Sequence, residues 1–470
     1  MFKKRTRLNP QSIYRFKWLL LLFILILPTE WLFCKDQGFF KPNDRVCFIG
    51  NSITNNGEFH HNVLLYHITR FPRIPVTVYN CGISGDVTGG ILRRMDDDIL
   101  VHQPTVAVIM IGMNDMTSSL FGPKIISNPD TLQRRVDGLN VYKTNLEKIV
   151  NIFLDKNIRV ILHKPSIYDQ TSVLTTPILF GKNDALKLCA DFCEDLSRKY
   201  NLPIVDYWSI MMRINTEQQH IDPSFTITSS DRIHPNATGH FVMAYQFLKS
   251  EKAPQHVSKI IVEKGLRKSQ KNSFNCKFNS FQRGKESIKF SVIEHSLPFP
   301  VVESQQKALM LVPFVSEFNM EFLQVKDMDE GTYRLSIDTV SIGTFSGKQF
   351  REGINLAEFS HTPQYLQAMK VRAVFSELWK NEASLRNIKF IEYNQYFKDC
   401  PDKKNIQSVV TFLDSVFTKR YTGQYYKNNL KKYALDKPHE NDFRTQSDDL
   451  RKKAYMTAKP VEHSFTINRN

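Results

Sequence analysis

At 470 residues the chain is longer than one hydrophobic core usually supports, so two domains and a tail are expected. Its 41% hydrophobic and 12% aromatic content is that of an ordinary globular protein. The formal net charge of +16 suggests nucleic-acid binding only until it is located: the excess lies in the first 34 residues and after residue 250, while residues 35–250 are nearly balanced. Charge therefore gives no reason to expect a nucleic-acid partner, or an anionic substrate in the balanced region.

The N-terminus carries Lys3, Lys4, Arg5, Arg7, Arg15 and Lys17, then the apolar run Trp18 to Leu27, which Pro28 and Glu30 interrupt. A charged segment before an apolar run too short for a comfortable membrane span is the pattern of an export signal, read here as residues 1–34. An uncleaved anchor is the competing reading, and bulky Phe33 beside Cys34 argues against lipid modification there. The expectation is an exported protein, periplasmic, at the cell surface or secreted, with no stable membrane span once the signal is removed. Beyond the signal remain Cys47, Cys81, Cys189, Cys193, Cys276 and Cys400, too scattered for a small disulfide-stapled domain, so packed core thiols are expected. Cys189 and Cys193 lie four apart on a predicted helix, but no His or Cys pair stands nearby at ligand spacing, and no metal is expected.

From Arg45 to about Leu248, apolar runs alternate with amphipathic stretches. Val46 to Ile49, Val76 to Cys81, Val106 to Ile111, Ile158 to Leu162 and Pro203 to Val205 read as buried strands. Phe59 to Phe71, Val87 to Leu100, Val136 to Lys156, Asn183 to Tyr200 and Ala237 to Leu248 read as helices, Asn236 capping the last. This alternation predicts a parallel three-layer α/β domain over residues 35–250, with the loops after its strands on one edge. The first strand ends abruptly at Gly50-Asn51-Ser52, which delivers a hydroxyl to the edge where open α/β sheets bind ligands.

After Lys249 the pattern changes. Ser287 to Ile293 is strand-like, Leu297 to Pro300 turn-like, and Met310 to Val325 and Tyr333 to Phe345 alternate like paired strands about a turn at Asp329-Glu330-Gly331. Pro363 to Asn381 and Ala383 to Ile388 read as helices. Residues 251–400 are expected to form an accessory α+β or β-sandwich-like unit. Residues 401–470 read as a polar tail with one helix, Ile406 to Phe417, and an extended or disordered end.

Three further stretches of the first domain supply groups that Ser52 would need. Asn80 to Asp86 (NCGISGD) follows the second strand, Gly112 to Asp115 (GMND) follows the third, and Asp231 to Pro235 (DRIHP) precedes the last helix. Ester hydrolysis by a serine requires a base, a carboxylate to orient the base, and donors for the developing oxyanion. His234 and Asp231, three residues apart, can supply the first two. The Ser52 and Gly85 N–H groups and the Asn114 amide can supply the third.

In order and chemistry these four stretches resemble the conserved blocks of the SGNH (GDSL-type) esterase and lipase superfamily, over about residues 45–250. The resemblance implies a flavodoxin-like α/β/α sandwich, with Ser52 as nucleophile, Gly85 and Asn114 as oxyanion donors, and His234 and Asp231 completing a triad. Asn51 stands where the family usually has Asp, and Asn can make most of the same local hydrogen bonds. The implied activity is that of an exported, cofactor-free serine esterase, similar to the bacterial carbohydrate esterases that remove acetyl groups from acetylated glycans. A lipase, lysophospholipase or thioesterase is the rival enzyme, needing an apolar groove of which Phe121 to Ile126 offers a little. A glycan-binding protein of weakened activity is the rival from another class.

Other residues read as structural. His60 and His61 read as a surface pair, and Arg93 and Arg94 with Asp96, Asp97 and Asp98 as a solvated helical face. Tyr168 and Asp169, after the fourth strand, are candidate substrate contacts. No phosphate-binding or dinucleotide glycine loop is present. The oligomeric state is not legible.

Overall fold

A computed structural model describes residues 38–124, 126–420 and 424–470, so the predicted export segment lies outside the described residues. Strands β1 (Arg45–Gly50), β2 (Thr77–Gly82), β3 (Val106–Met110), β4 (Arg159–Lys164) and β5 (Ile204–Asp206) pair in parallel in the order β2-β1-β3-β4-β5. This is the flavodoxin-like order, and its winding reverses between β1 and β3, which opens a crevice at the C-terminal ends of those strands. Period-two alternation explains the layers. Cys47 and Ile49 of β1, Ala107 and Ile109 of β3, and Val160 and Leu162 of β4 meet Tyr142, Leu146, Leu186 and Cys193 of helices α4 (Pro129–Asp155) and α5 (Lys182–Tyr200). Phe48 and His163 face the other way, onto Phe59 of α2 (Glu58–Arg70), Tyr207 of α6 (Tyr207–Gln219) and Phe247 of α7 (Ala237–Ser250). The six described cysteines are buried and free. Among the described residues no helix is long and apolar enough to cross a membrane.

The stretch predicted as one helix from Val87 to Leu100 is broken. Helix α3 spans only Thr88–Arg93, followed by a wider π turn over Met95–Ile99. Of its charges Arg93, Asp96 and Asp97 are exposed as expected, but Arg94 is 1% and Asp98 3% exposed. Arg94 pairs with Asp86 at 2.8 Å and with Asp98 at 2.6 Å, and Asp98 also pairs with Arg386. Two charges of the run are buried because their partner arrives from almost 300 residues away.

The C-terminal region is α+β. Strands β6 (His256–Val262), β9 (Met320–Val325) and β12 (Ile354–Asn355) make a three-stranded sheet. Strands β7 (Cys276–Arg283), β8 (Ser287–Glu294), β10 (Thr332–Ile337), β11 (Val340–Ser346) and β13 (Glu462–Arg469) make an antiparallel sheet in the order β11-β10-β13-β8-β7. The expected pairing of residues 310–325 with 333–345 does not form. β9 pairs with β6 and β12 instead, and β10 turns back onto β11 at Asp338, whose φ of 54° Asp tolerates.

The segment expected as a polar tail is folded. It carries α9 (Ile406–Arg420), α10 (Gln424–Asp436), α11 (Glu440–Thr457) and β13, and β13 fills the middle of the five-stranded sheet. Val409, Leu413, Phe417, Leu430 and Tyr433 form narrow apolar stripes that pack on Ile388 and Ile391 of α8 (Pro363–Glu392), one 30-residue helix. Alternating His463, Phe465 and Ile467 are the buried face of β13. Residues Lys41–Asn470 make one unit.

His60 and His61, expected at the surface, are buried: His60 stacks on Phe48 of β1, and His61 is covered by α8, its Nε2 lying 2.8 Å from Glu382. Burial pushes His60, His163 and His240 down to about 3. Above pH 6.5 these rings are neutral whether the chain is folded or not. Below it the unfolded chain takes up protons that the fold refuses, so stability falls as pH drops from 6.5 toward 3, by up to ~1.4 kcal/mol per pH unit for each histidine. Thermal melts are expected to show a steep loss of stability between about pH 6.5 and 4.5. His163 has no partner for either ring nitrogen among the described residues, so His163→Leu is expected to stabilise the protein at pH 7 and flatten that loss. A wild-type melting temperature unchanged over this range would contradict the account.

Candidate active site

β1 ends at Gly50, and Asn51 then caps α1 (Ser52–Asn56), its side-chain oxygen accepting the Ile53 N–H at 3.1 Å. Asn51 is thus a capping residue, which explains why Asn serves where Asp is usual: both offer the same oxygen. The cap makes Ser52 the first residue of the helix. Its N–H is one of the first-turn donors that a helix leaves without an internal acceptor. α1 lies so close to the strand ends that two glycines are obligatory. A Cβ on Gly50 would stand 2.3 Å from Thr54 Oγ1, and one on Gly82 would stand 2.2 Å from the Asn55 nitrogen.

Ser52 Oγ lies 2.7 Å from His234 Nε2, and His234 Nδ1 lies 2.6 Å from Asp231 Oδ2. The other carboxylate oxygen of Asp231 accepts the backbone N–H of Ile233 at 2.9 Å and of His234 at 3.0 Å. Partial burial pulls Asp231 upward, but the His234 ring and these two N–H groups outweigh it and hold the carboxyl at about 2. Asp231 is therefore ionised, and it fixes the imidazole with Nε2 free to accept the Ser52 proton. The turn that carries this pair is built on Arg232. That residue takes a φ of 68° and turns its buried guanidinium inward, donating to the backbone oxygens of Asp169, Ser172 and Thr176. Tyr168 and Asp169, read as substrate contacts, belong to this buried scaffold. Asp169 accepts from Thr171, Ser172 and Asn215, all local or packed donors.

The remaining two groups come from the strands flanking β1. Gly85 follows β2 with a φ of 81°, is exposed, and makes no hydrogen bond through its N–H among the described residues. Asn114 follows β3 and donates one amide hydrogen to the Asp86 carbonyl at 3.0 Å, which leaves the other for a substrate. Because β1 lies between β2 and β3, these two donors flank Ser52 on the same sheet edge. The loops are tied together by Asp115, whose carboxylate accepts the Thr88 N–H at 2.9 Å and hydroxyl at 2.6 Å.

Lys182 is a positioning residue that sequence reasoning missed. Its buried ammonium donates to Met113 O, Met116 O and Ser118 Oγ, gripping the loop on both sides of Asn114, and burial lowers it to about 8. A lysine at a helix start ordinarily reads as surface, and only tertiary packing reveals this one. Taken together, the arrangement offers a hydroxyl with a base, a carboxylate that orients the base, and three N–H donors along one sheet edge.

Residues 48–241 match the family model of GDSL-like lipases and acylhydrolases. That part of the chain is a GDSL-like acylhydrolase domain. Among proteins of known structure, a gut microbial diltiazem-metabolizing enzyme is similar with a TM-score of 0.83 and 28% identity, over 93% of this chain and 99% of that one. Both halves of the chain, not only the parallel sheet, therefore have a counterpart of known structure. An acetylxylan esterase of Geobacillus stearothermophilus is 23% identical over 227 residues, 44% of this chain and 93% of the relative.

Proposed function

We propose that this acylhydrolase removes short acyl groups, acetyl foremost, from carbohydrate hydroxyls, and that it acts outside the cytoplasm. The observation that carries the reading is the unbroken line Ser52–His234–Asp231, with contacts of 2.7 and 2.6 Å. In the proposed mechanism His234 Nε2 takes the Ser52 proton as Oγ attacks the ester carbonyl carbon. The oxyanion that forms is met by the N–H groups of Ser52 and Gly85 and the free amide hydrogen of Asn114. On collapse the bond to the alcohol oxygen breaks and His234 returns its proton to that oxygen. Water, activated by the same ring, then releases the acid from Ser52.

The similarity to an acetylxylan esterase supports the acetyl and carbohydrate assignments. Long acyl chains would need an exposed apolar groove, and in the stretch Phe121 to Ile126 the one large aromatic side chain, Phe121, is 5% exposed and packed in the core. The charged and then apolar N-terminal segment supports export. Acetate release from a panel of acetylated polysaccharides and monosaccharides, run beside nitrophenyl esters of increasing chain length, tests the reading. An acetyl preference of at least about tenfold in kcat/KM over octanoyl is expected, and a preference for the longer chain would return the lipase alternative.

A further inference from the structure

Ser52 opens a helix of only five residues, α1, too short to be held by its own hydrogen bonds. The last carbonyls of a helix find no partner within it. In α1 three of them are met by side chains: Thr54 O by His60 Nε2 at 3.1 Å, Asn55 O by Asn80 Nδ2 at 3.0 Å and Asn56 O by Trp379 Nε1 at 2.5 Å. A carbonyl can only accept, so each of these nitrogens donates. His60 and Asn80 belong to α2 and β2, beside α1 in the catalytic half. Trp379 belongs to α8 and stands 323 residues beyond Asn56 in the chain.

The indole is itself held in place. It stacks on the His61 ring, with centroids 5.4 Å and planes 24° apart. His61 Nε2 lies 2.8 Å from Glu382, three residues after Trp379 on α8, and Glu382 also accepts from Arg451 of α11 at 3.0 Å. The Arg451 guanidinium in turn lies 5.0 Å from the centre of the Tyr79 ring of β2. Trp379 also lines a cavity of about 300 Å³ whose walls come from α1, α8 and α10. Packing therefore leaves one side of the indole open, and the stack and the hydrogen bond set its orientation. Ser52 and Asn56 stand about 6 Å apart along the helix, so tilting α1 by about 10° moves one end by about 1 Å. A misplacement of that size can cost on the order of 10²-fold in rate.

We propose that Trp379 is a positioning residue for the reaction: by donating to the Asn56 carbonyl it sets the tilt of α1, and so the place of Ser52 against His234 and the oxyanion donors. The inference rests on Ser52 as nucleophile and not on the nature of the alcohol. The test compares wild type with Trp379→Phe, which keeps a ring against His61 but loses the N–H, and with Trp379→Ala. Three quantities are read: hydrolysis of 4-nitrophenyl acetate, the rate at which a 4-nitrophenyl phosphonate modifies Ser52, and the melting curve. For Trp379→Phe, kcat and the phosphonylation rate are expected to fall together by about tenfold, with KM within about twofold and the melting temperature lowered only slightly. Trp379→Ala is expected to lose more of both rates, and Trp379→Phe decides the matter if that variant does not fold. Wild-type rates in Trp379→Phe, or a loss confined to KM or to the melting temperature, would overturn the proposal. A wild type that hydrolyses 4-nitrophenyl acetate but releases no acetate from sugars would end the carbohydrate reading and leave the role of Trp379 standing. A wild type inert to both the acetate ester and the phosphonate would overturn Ser52 as nucleophile and Trp379 with it.

Discussion

Ser52→Ala is expected to lower kcat for acetyl-ester hydrolysis by at least about 10⁴-fold while leaving thermal stability nearly unchanged. The size reflects the role of the hydroxyl: without Oγ there is no acyl-enzyme, His234 has no proton to take, and only the oxyanion donors and substrate binding remain. The small effect on stability reflects the site's construction. Ser52 is half-buried, its hydroxyl bonds among the described residues only to His234, and α1 is held by the Asn51 cap and the close approach at Gly50 and Gly82. Rates of wild type and variant on 4-nitrophenyl acetate, with melting curves of both, decide the matter. Equal background turnover in the two proteins would mean that the catalytic reading is wrong and that a glycan-binding role is left.

The parts of this molecule that were legible in its sequence are those whose information is local. Five nearly continuous apolar runs read as buried parallel strands, and their ends at Gly50-Asn51-Ser52, Gly85 and Asn114 could be recognised by the small and polar residues just past each strand. Asp231 and His234, three residues apart, announce their own pairing. The hidden parts depend on residues far away in the chain. His61 reads as surface until Glu382 covers it, and Arg94 and Asp98 read as solvated until Arg386 reaches them. β13 is a short alternating strand in a polar stretch, and it becomes visible only because β8 and β10 leave a place between them. The cavity wall shared by α8, α10 and α1 is hidden for the same reason.

Asp98→Asn is expected to destabilise the protein by about 3–5 kcal/mol and to lower kcat with little change in KM. Asp98 lies buried between two guanidinium groups, 2.6 Å from Arg94 and 2.9 and 2.7 Å from Arg386. Burial alone would raise its carboxyl, but the two arginines outweigh that and hold it far below the usual carboxylate range, so it is charged at any working pH. Removing the charge leaves Arg386 buried without a counter-ion and Arg94 with Asp86 alone. The effect reaches catalysis because both arginines also hold strand ends. Arg386 Nε donates to Gly82 O at 3.0 Å and Arg94 to Gly50 O at 3.4 Å, the residues that lead into Gly85 and Ser52. Denaturant unfolding and steady-state kinetics of the variant check both parts. The double variant Asp98→Leu with Arg386→Met separates charge from packing: it removes the stranded charge together with its partner and should recover part of the lost stability, whereas kcat stays low because the hold on Gly82 is gone. A double variant with wild-type kcat would mean that Arg386 stabilises the acylhydrolase without positioning its site.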